Sequence, residues 1–312
     1  MSEPRNGATI FFLDPPTEEQ WSQIQGVVDQ VEWDVSHWNY FLILSRLPYA
    51  KAVVSVDDKG KYVGILVFAQ PPSPHVSYVG LYIVSESCRG NGIGQRMWKL
   101  MKEHTDESRV LAIDSEGNMT DKYRAVEFPV PGPTWQEMSG PVAQLNASLQ
   151  QAIQEKDCRF KIIDPNTVMD EVIKFDSKIM HLERPEFVQQ FFRVADGKAI
   201  IAEDGSVVAI GATMPTFLHE KQIRIGPLYA ENFNCMLMLL SALMHDVKQP
   251  EFLIMAPSET EKGRMFIDFL TEKSHSSLGS LFMRSFDRPY ECPTEWSKVF
   301  ALSFHVASPT MS

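Results

Sequence analysis

The chain has 312 residues, 44% hydrophobic and 22% charged, enough to bury a core and, by length, to form about two domains. Its formal net charge of −11 argues against the basic face of a general nucleic-acid binder and is compatible with a cationic substrate such as an amine or a basic peptide. Cys88, Cys158, Cys235 and Cys292 stand far apart with no C-x-x-C pair, so neither a zinc site, another metal centre nor a disulfide framework is expected.

Taken in chain order, Ala8 to Leu13 reads as a strand broken by Asp14-Pro15-Pro16. Thr17-Glu18-Glu19-Gln20 has the form of a capping box and predicts a helix to about Gln30. An aromatic-rich helix is predicted from Ser36 to Leu44, and strands over Lys51–Val56, Tyr62–Phe68 and Val76–Val84, the first two joined by the turn Asp57-Asp58-Lys59-Gly60. Ile93, Met97, Leu100 and Met101 recur on one face of a helix running from Gly94 to His104. A strand at Val110–Ile113 and a short helix around Thr120–Ala125 follow, and Pro129, Pro131, Gly132 and Pro133 are expected to end the unit.

A helical linker over Val142–Glu155 leads to a second half that repeats the order of the first without repeating its residues: helices at Val168–His181 and Glu186–Phe192, strands at Ala199–Ala202, Val207–Met214 and Ile223–Tyr229, the apolar helix Phe233–His245, and the strand Phe252–Ala256. A helix at Met265–Leu270 and closing strands at Leu278–Met283 and Val299–Phe304 complete it. The expected division is 1–135 and 136–312, each a mixed α/β unit. No apolar signal region follows Met1-Ser2-Glu3-Pro4-Arg5 and no run is long enough for a bilayer, so a cytoplasmic protein with reduced thiols and no membrane span is expected.

The chemistry concentrates in Tyr82 to Gln95, where a buried strand runs into Arg89-Gly90-Asn91-Gly92-Ile93-Gly94 and a helix starts at once. Glycines let a ligand approach the backbone, and the first N–H groups of the helix have no intrahelical partner, which makes a site for a pyrophosphate with Arg89 adding charge. The dinucleotide fingerprint G-x-G-x-x-G fails, because its sixth position falls on Gln95 or Met97, and the Gly-Lys-Ser/Thr of a P-loop is missing.

The pattern R-x-x-G-x-G instead resembles the acetyl-CoA motif of the GNAT superfamily (GCN5-related N-acetyltransferases), L-x-V-x-P-x-Y-R-G-x-G-I-G. Tyr82, Val84, Arg89, Gly90, Gly92, Ile93 and Gly94 stand in its places, with Glu86 for the proline and Cys88 for the aromatic. The resemblance implies acetyl-CoA as co-substrate, held by Arg89, Gly90, Asn91, Gly92, Ile93, Gly94 and Gln95. It also implies a mostly antiparallel twisted sheet with a splayed central strand pair, where Ile83 and Val84 would meet pantetheine. Downstream, Asn118 and Tyr123-Arg124-Ala125-Val126-Glu127-Phe128 resemble the family's asparagine and Tyr-x-x-x-Gly-Phe segment, which would make Asn118 a cofactor contact and Tyr123 the acid that protonates the departing thiolate. No general base is legible; Glu32, Asp34, His37, His75 and Glu86 are candidates, and Trp33, Trp38, Tyr40 and Phe41 stand where an acceptor pocket would be walled.

The second half looks like a degenerate copy. Its counterpart of the loop, Ala230-Glu231-Asn232-Phe233-Asn234-Cys235, has lost arginine and glycines, and Glu231 puts negative charge where a pyrophosphate would sit, so no cofactor is expected there. Leu281-Phe282-Met283-Arg284 resembles the strand that closes some tandem members of the family. The resemblance as a whole implies acetyl transfer to a primary amine of a small molecule, in a monomeric pseudo-dimer or a homodimer. Its alternatives are a non-catalytic acetyl-CoA sensor, a longer-chain acyltransferase and a protein N-acetyltransferase.

Overall fold

The computed structural model describes residues 8–33, 35, 37–73, 75–153 and 160–303. The first half runs β1 (Thr9–Leu13), α1 (Glu18–Val28), α2 (Trp38–Ser45), β2 (Ala50–Val56), β3 (Tyr62–Ala69), β4 (Val76–Val84), α3 (Ile93–Glu103), β5 (Val110–Glu116) and α4 (Gly117–Val126). Then come β6 (Val130–Pro141) and α5 (Val142–Ala152). The second half runs β7 (Lys161–Ile163), α6 (Met169–Met180), α7 (Pro185–Val194), β8 (Asp196–Ile201), β9 (Val207–Pro215), β10 (Gln222–Ala230), α8 (Phe233–Met244), β11 (Glu251–Pro257), α9 (Glu261–Ser274), β12 (Ser277–Phe286) and β13 (Val299–Ala301). Asp34, Ser36, Cys158 and the end of the expected linker, Gln154 and Glu155, lie outside the described residues.

Local signals explain the elements that frame the site. Thr17 caps α1 through the expected box: its hydroxyl accepts from Gln20 N–H at 3.3 Å, and its own N–H donates to Gln20 Oε1 at 2.8 Å. The apolar stripe of α3 is buried at Ile93, Met97 and Met101, against Leu66, Phe68, Leu111 and Ile113 of the sheet. On the opposite face, α1 and α2 share one core with α6 and α7, in which Trp21, Phe41, Ile179 and Phe191 are buried.

The two halves form one 13-stranded sheet in the order β1-β2-β3-β4-β5-β12-β6-β11-β10-β9-β8-β7, with β13 attached to β10. Each half lends the other a strand: β12 of the second half lies between β5 and β6, and β6 of the first lies between β12 and β11. The expected 135/136 boundary therefore falls inside β6. The prolines expected to end the first unit sit in this strand instead. At Pro131 only β12 flanks it, and Pro133 falls at the register shift between Met283↔Thr134 and Ser285↔Pro131, where a missing N–H removes no regular ladder bond.

The exchanged strands are pinned by a buried ion pair. Arg284 on β12 donates from Nε and Nη2 to the two oxygens of Asp114 on β5, both at 2.7 Å, with the side chains 2% and 5% exposed. The guanidinium lies between the rings of Tyr78 and Trp135, at 5.0 and 5.5 Å from their centroids. Burial alone would lower the Arg284 pKa, and the neighbouring Asp114 more than offsets this.

Candidate active site

Strands β4 and β5 are parallel neighbours over Val76–Val79 and Val110–Ile113, and there the pairing stops. The cause lies in β4. Leu81 takes a left-handed φ of 48°, and the register against β3 slips between Val67↔Gly80 and Ile65↔Ile83. This is a β-bulge, and it bends β4 away from β5. Beyond it, Ser85 N–H donates to Val63 O at 2.9 Å, so strand alternation turns Ile83 N–H toward β3 and Val84 N–H into the gap. Of the two residues expected to face pantetheine, Val84 therefore offers its backbone. Ile83 instead pairs with β3 and buries its side chain in the core on the α1/α2 face.

The gap leads into the glycine loop. Gly90 and Gly92 have φ of 79° and 70°, and a Cβ at either would meet only open space. Gly92 is the N-cap of α3 and supplies no side-chain cap, so the first N–H groups of the helix, from Ile93 to Gln95, stay open to a ligand. Exposed Arg89 is fixed at the loop by Nε donating to Val84 O at 2.9 Å. Asn91 holds the turn, its Nδ2 donating to Cys88 O at 3.1 Å and to Arg89 O at 3.4 Å. Gln95 is exposed on the first turn of α3. Gly94 does a different job from its neighbours: a Cβ there would sit 2.5 Å from the Tyr82 hydroxyl, so this glycine makes room for Tyr82. A cavity of about 520 Å³ opens beside the loop, lined by Gln30, Asp57, Lys61, Ser85, Ser87 and Cys88, among others.

Tyr82 is the residue that sequence reasoning placed only as a motif position. With Trp98, Phe128 and Tyr123 it forms a chain of rings at 5.8, 5.8 and 6.3 Å between successive centroids. Burial, then the neighbouring Tyr123 and Glu127, push its phenol up to about 12, and burial pushes Tyr123 up as well. Both hydroxyls are thus kept protonated at neutral pH, as a proton donor requires. Tyr123 reaches this cluster from the last turn of α4, where its carbonyl accepts from the N–H groups of Glu127 and Phe128 at 3.0 and 2.9 Å. Asn118 lies in the first turn of the same helix, and its side chain is outside the described residues.

The base candidates scatter. His75 precedes β4 at its paired end, roughly 25 Å along the strand from Val84, and bonds Ser108 at 2.7 Å. Glu32 is exposed at a left-handed turn after α1, and Glu86 is exposed in the turn before Arg89. His37 caps α2 by accepting Asn39 N–H at Nδ1, at 3.2 Å. That bond leaves its neutral proton on Nε2, so a neutral His37 offers a donor rather than a base. Trp33 is 40% exposed beside it, whereas Tyr40 and Phe41 are core.

The corresponding place in the second half is built differently. Strands β10 and β11 also part, after Ile225↔Ile254, but β13 fills the gap. Val299 and Ala301 pair with Tyr229 and Leu228, while Leu302 N–H donates to Met255 O on β11 at 3.0 Å. Asn232 caps α8 by accepting Cys235 N–H at 2.9 Å. Glu231 holds Lys178 and Lys298, each at 2.8 Å; burial alone would raise its carboxyl, and the two lysines pull it below the usual range.

The profile of the GNAT acetyltransferase family matches residues 15–124, and that of a second GNAT acetyltransferase domain matches residues 172–279. The chain belongs to the GNAT superfamily, in its tandem form. Among relatives of this GNAT protein, an uncharacterized protein of Caenorhabditis elegans is 22% identical over 224 residues, 70% of each chain. The holothin acyltransferase of a Pseudoalteromonas strain is 26% identical over 227 residues, 70% of this chain and 69% of the relative. The fold is shared with a tandem GNAT protein from the clavulanic acid biosynthesis pathway, at a TM-score of 0.62 and 12% identity over 91% of this chain and 100% of that one. It is shared also with a candidate acetyltransferase of Pyrococcus horikoshii, at a TM-score of 0.69 and 15% identity over 96% and 95%. As a GNAT protein with β12 inserted beside β5, the chain builds its first-half cleft from both halves. Among the described residues no helix is long and apolar enough to cross a membrane, and no cluster of three or more His, Cys, Asp or Glu is placed to hold a metal ion.

Proposed function

We propose that the protein transfers an acyl group, acetyl in the first instance, from acyl-CoA to a primary amine of a small molecule, by direct attack in a ternary complex. The observation that carries this reading is one continuous surface. The edge of β4 at Val84, Arg89 and the uncapped start of α3 follow one another, with room for a ligand at Gly90 and Gly92. The residues fit acyl-CoA: backbone N–H groups and Arg89 for the pyrophosphate, a bare strand edge for pantetheine, and a protonated phenol beyond it. The thioester supplies an activated acyl carbon and a thiol leaving group.

In this reading Val84 N–H polarises the thioester carbonyl, and the acceptor nitrogen bonds to the acyl carbon as the C–S bond breaks. Tyr123 gives its proton to the departing sulfur, and the amine proton leaves to solvent through the open mouth. The relative that acts as an acyltransferase on holothin supports the reaction class. The second half pairs β12 with β5 and brings His219 beside His37, and in this reading that favours a small acceptor over a polypeptide.

The test is calorimetric titration with acetyl-CoA, followed by release of free CoA thiol with a panel of primary amines. Binding of one acetyl-CoA with amine-dependent CoA release supports the proposal. Tight binding with no release from any amine favours a sensor, and no binding overturns both.

A further inference from the structure

The acceptor side of the cleft is shared between the halves, and a pair of histidines marks it. At the end of α1, Gln30 meets Ser85 at the end of β4, with Ser85 Oγ 3.4 Å from Gln30 Oε1. The end of α1 thus lies beside the end of β4, and His37 caps the helix that follows. The β9–β10 loop of the other half reaches His37, the His219 ring lying 6.0 Å from that of His37 and inclined at 57°. Sheet order agrees. The β9–β10 loop, the start of β11 (Glu251↔Pro141) and the start of β12 (Ser277↔Ser139) share one end of the sheet. From that end β12 runs to Phe282↔Glu116, beside the unpaired end of β5.

The chemistry offered there is specific. His37 spends Nδ1 on the Asn39 N–H, which fixes its neutral ring with a proton on Nε2. Among the described residues no hydrogen bond is formed by that Nε2–H. Trp33, four residues before His37, and Leu218, next to His219 in the chain, are 40% and 49% exposed and offer apolar surface. A donor whose direction is set by a helix cap, an imidazole facing it, and an apolar rim recognise an oxygen acceptor on an apolar body.

We propose that His37 and His219, one from each half, position the acceptor substrate, and that this substrate is a primary amine carrying an amide or keto oxygen and an aromatic body. His37 Nε2–H hydrogen-bonds the oxygen, His219 closes on it from the second half, and Trp33 and Leu218 cover the ring. This rests on the acyltransferase reading above. Both histidines are positioning residues, distinct from the group that protonates the thiolate.

The experiment compares phenylalaninamide with phenethylamine, which lacks the oxygen, as acceptors for acetyl-CoA. Phenylalaninamide is expected to have the lower KM by about tenfold, the worth of one hydrogen bond to a fixed donor. His37→Asn keeps the cap, since asparagine is a strong N-cap residue, and removes the Nε2–H. It should raise the KM for phenylalaninamide to that of phenethylamine while leaving kcat, acetyl-CoA affinity and Tm unchanged. His37→Gln restores a donor at the Nε2 position and should recover the low KM while lowering Tm. His219→Ala should raise the KM for phenylalaninamide alone. An unchanged KM in H37N, an equal loss with both amines, or no binding of phenylalaninamide to the CoA-loaded protein by calorimetry overturns the inference. Absence of acetyl-CoA binding overturns the acyltransferase reading instead.

Discussion

The two halves part the same pair of strands and use the gap in opposite ways. In the first half the β4–β5 gap is left as a bare edge, and the helix behind it begins at a glycine that caps nothing. In the second the β10–β11 gap is stitched by β13 and Leu302, and the helix behind it is capped by its own Asn232. The charged residue of each loop follows suit: Arg89 is held at the mouth and exposed, while Glu231 grips Lys298 just before β13. An unpaired edge in a protein interior leaves N–H and C=O groups that must find partners. The second half supplies them from its own β13 and Leu302; in the first, among the described residues, no strand fills the gap, and Val84 O accepts from Arg89 Nε. Degeneracy of the second half is thus more than the loss of a motif, because the cleft has become core.

The sharpest way to break this comparison is to weaken the plug. Phe300 is fully buried between the rings of Phe233 and Phe266, at 5.9 and 6.1 Å. Phe300→Ala should cost about 3–5 kcal/mol in urea unfolding, as large-to-small changes in a packed core do. Acetyl-CoA should still bind the folded protein once, with unchanged affinity; a second equivalent would mean that the β10–β11 gap is a latent cofactor site.

The converse change spoils the open half. Gly92→Asp puts a carboxylate and a Cβ at φ 70° against the start of α3. It should weaken acetyl-CoA by about a hundredfold or more, as expected when a pyrophosphate loses its backbone contacts and gains a like charge. Retention of full affinity would remove the loop from the cofactor site. Gly205→Asp, at a positive-φ turn of the second half, is the control, for it imposes the same kind of backbone strain with no effect on the ligand.

A smaller effect separates reaction from binding. Tyr123→Phe keeps the ring against Phe128 and removes the proton. Loss of a general acid should lower kcat by about a hundredfold with unaltered acetyl-CoA affinity. An unaltered kcat would pass the role to Tyr82, whose phenol belongs to the same ring cluster.

How much of this was legible in sequence depends on how local each feature is. The loop, the α3 stripe and the Thr17 box depend on residues a few positions apart, and they form as read. The absence of arginine and paired glycines at Ala230–Cys235 was equally visible. Tyr82 was harder, because its link to Gly94 spans a turn and only appears when the strand packs on the helix. The closing strand expected over Val299–Phe304 forms over Val299–Ala301, with Phe304 outside the described residues, yet nothing local says that it would enter the β10–β11 gap about seventy residues upstream along the chain. The strand exchange is harder still. Pro131 and Pro133 read as terminators because a proline normally costs a strand a bond, and only the strand pairing shows that they sit at the unflanked start and the register shift of β6.

The least effect lies at the joint between the halves, and pH reads it. Burial, and then the nearby His219, lower the His37 pKa from its usual 6.5. The unfolded chain therefore takes up a proton at a pH where the folded protein does not, so stability must fall as pH drops through about 6.5 and level off below the folded pKa. The same proton ends capping, since a protonated Nδ1 cannot accept from Asn39 N–H. A helix cap is worth about 1 kcal/mol, or about 2 °C in a protein of this size. Between pH 7.5 and 5.0 the wild-type Tm should thus fall about 2 °C further than that of H37N, whose asparagine caps without titrating. Parallel falls would show that His37 stays neutral or that its cap contributes nothing, and the two are told apart by the imidazole NMR titration of His37.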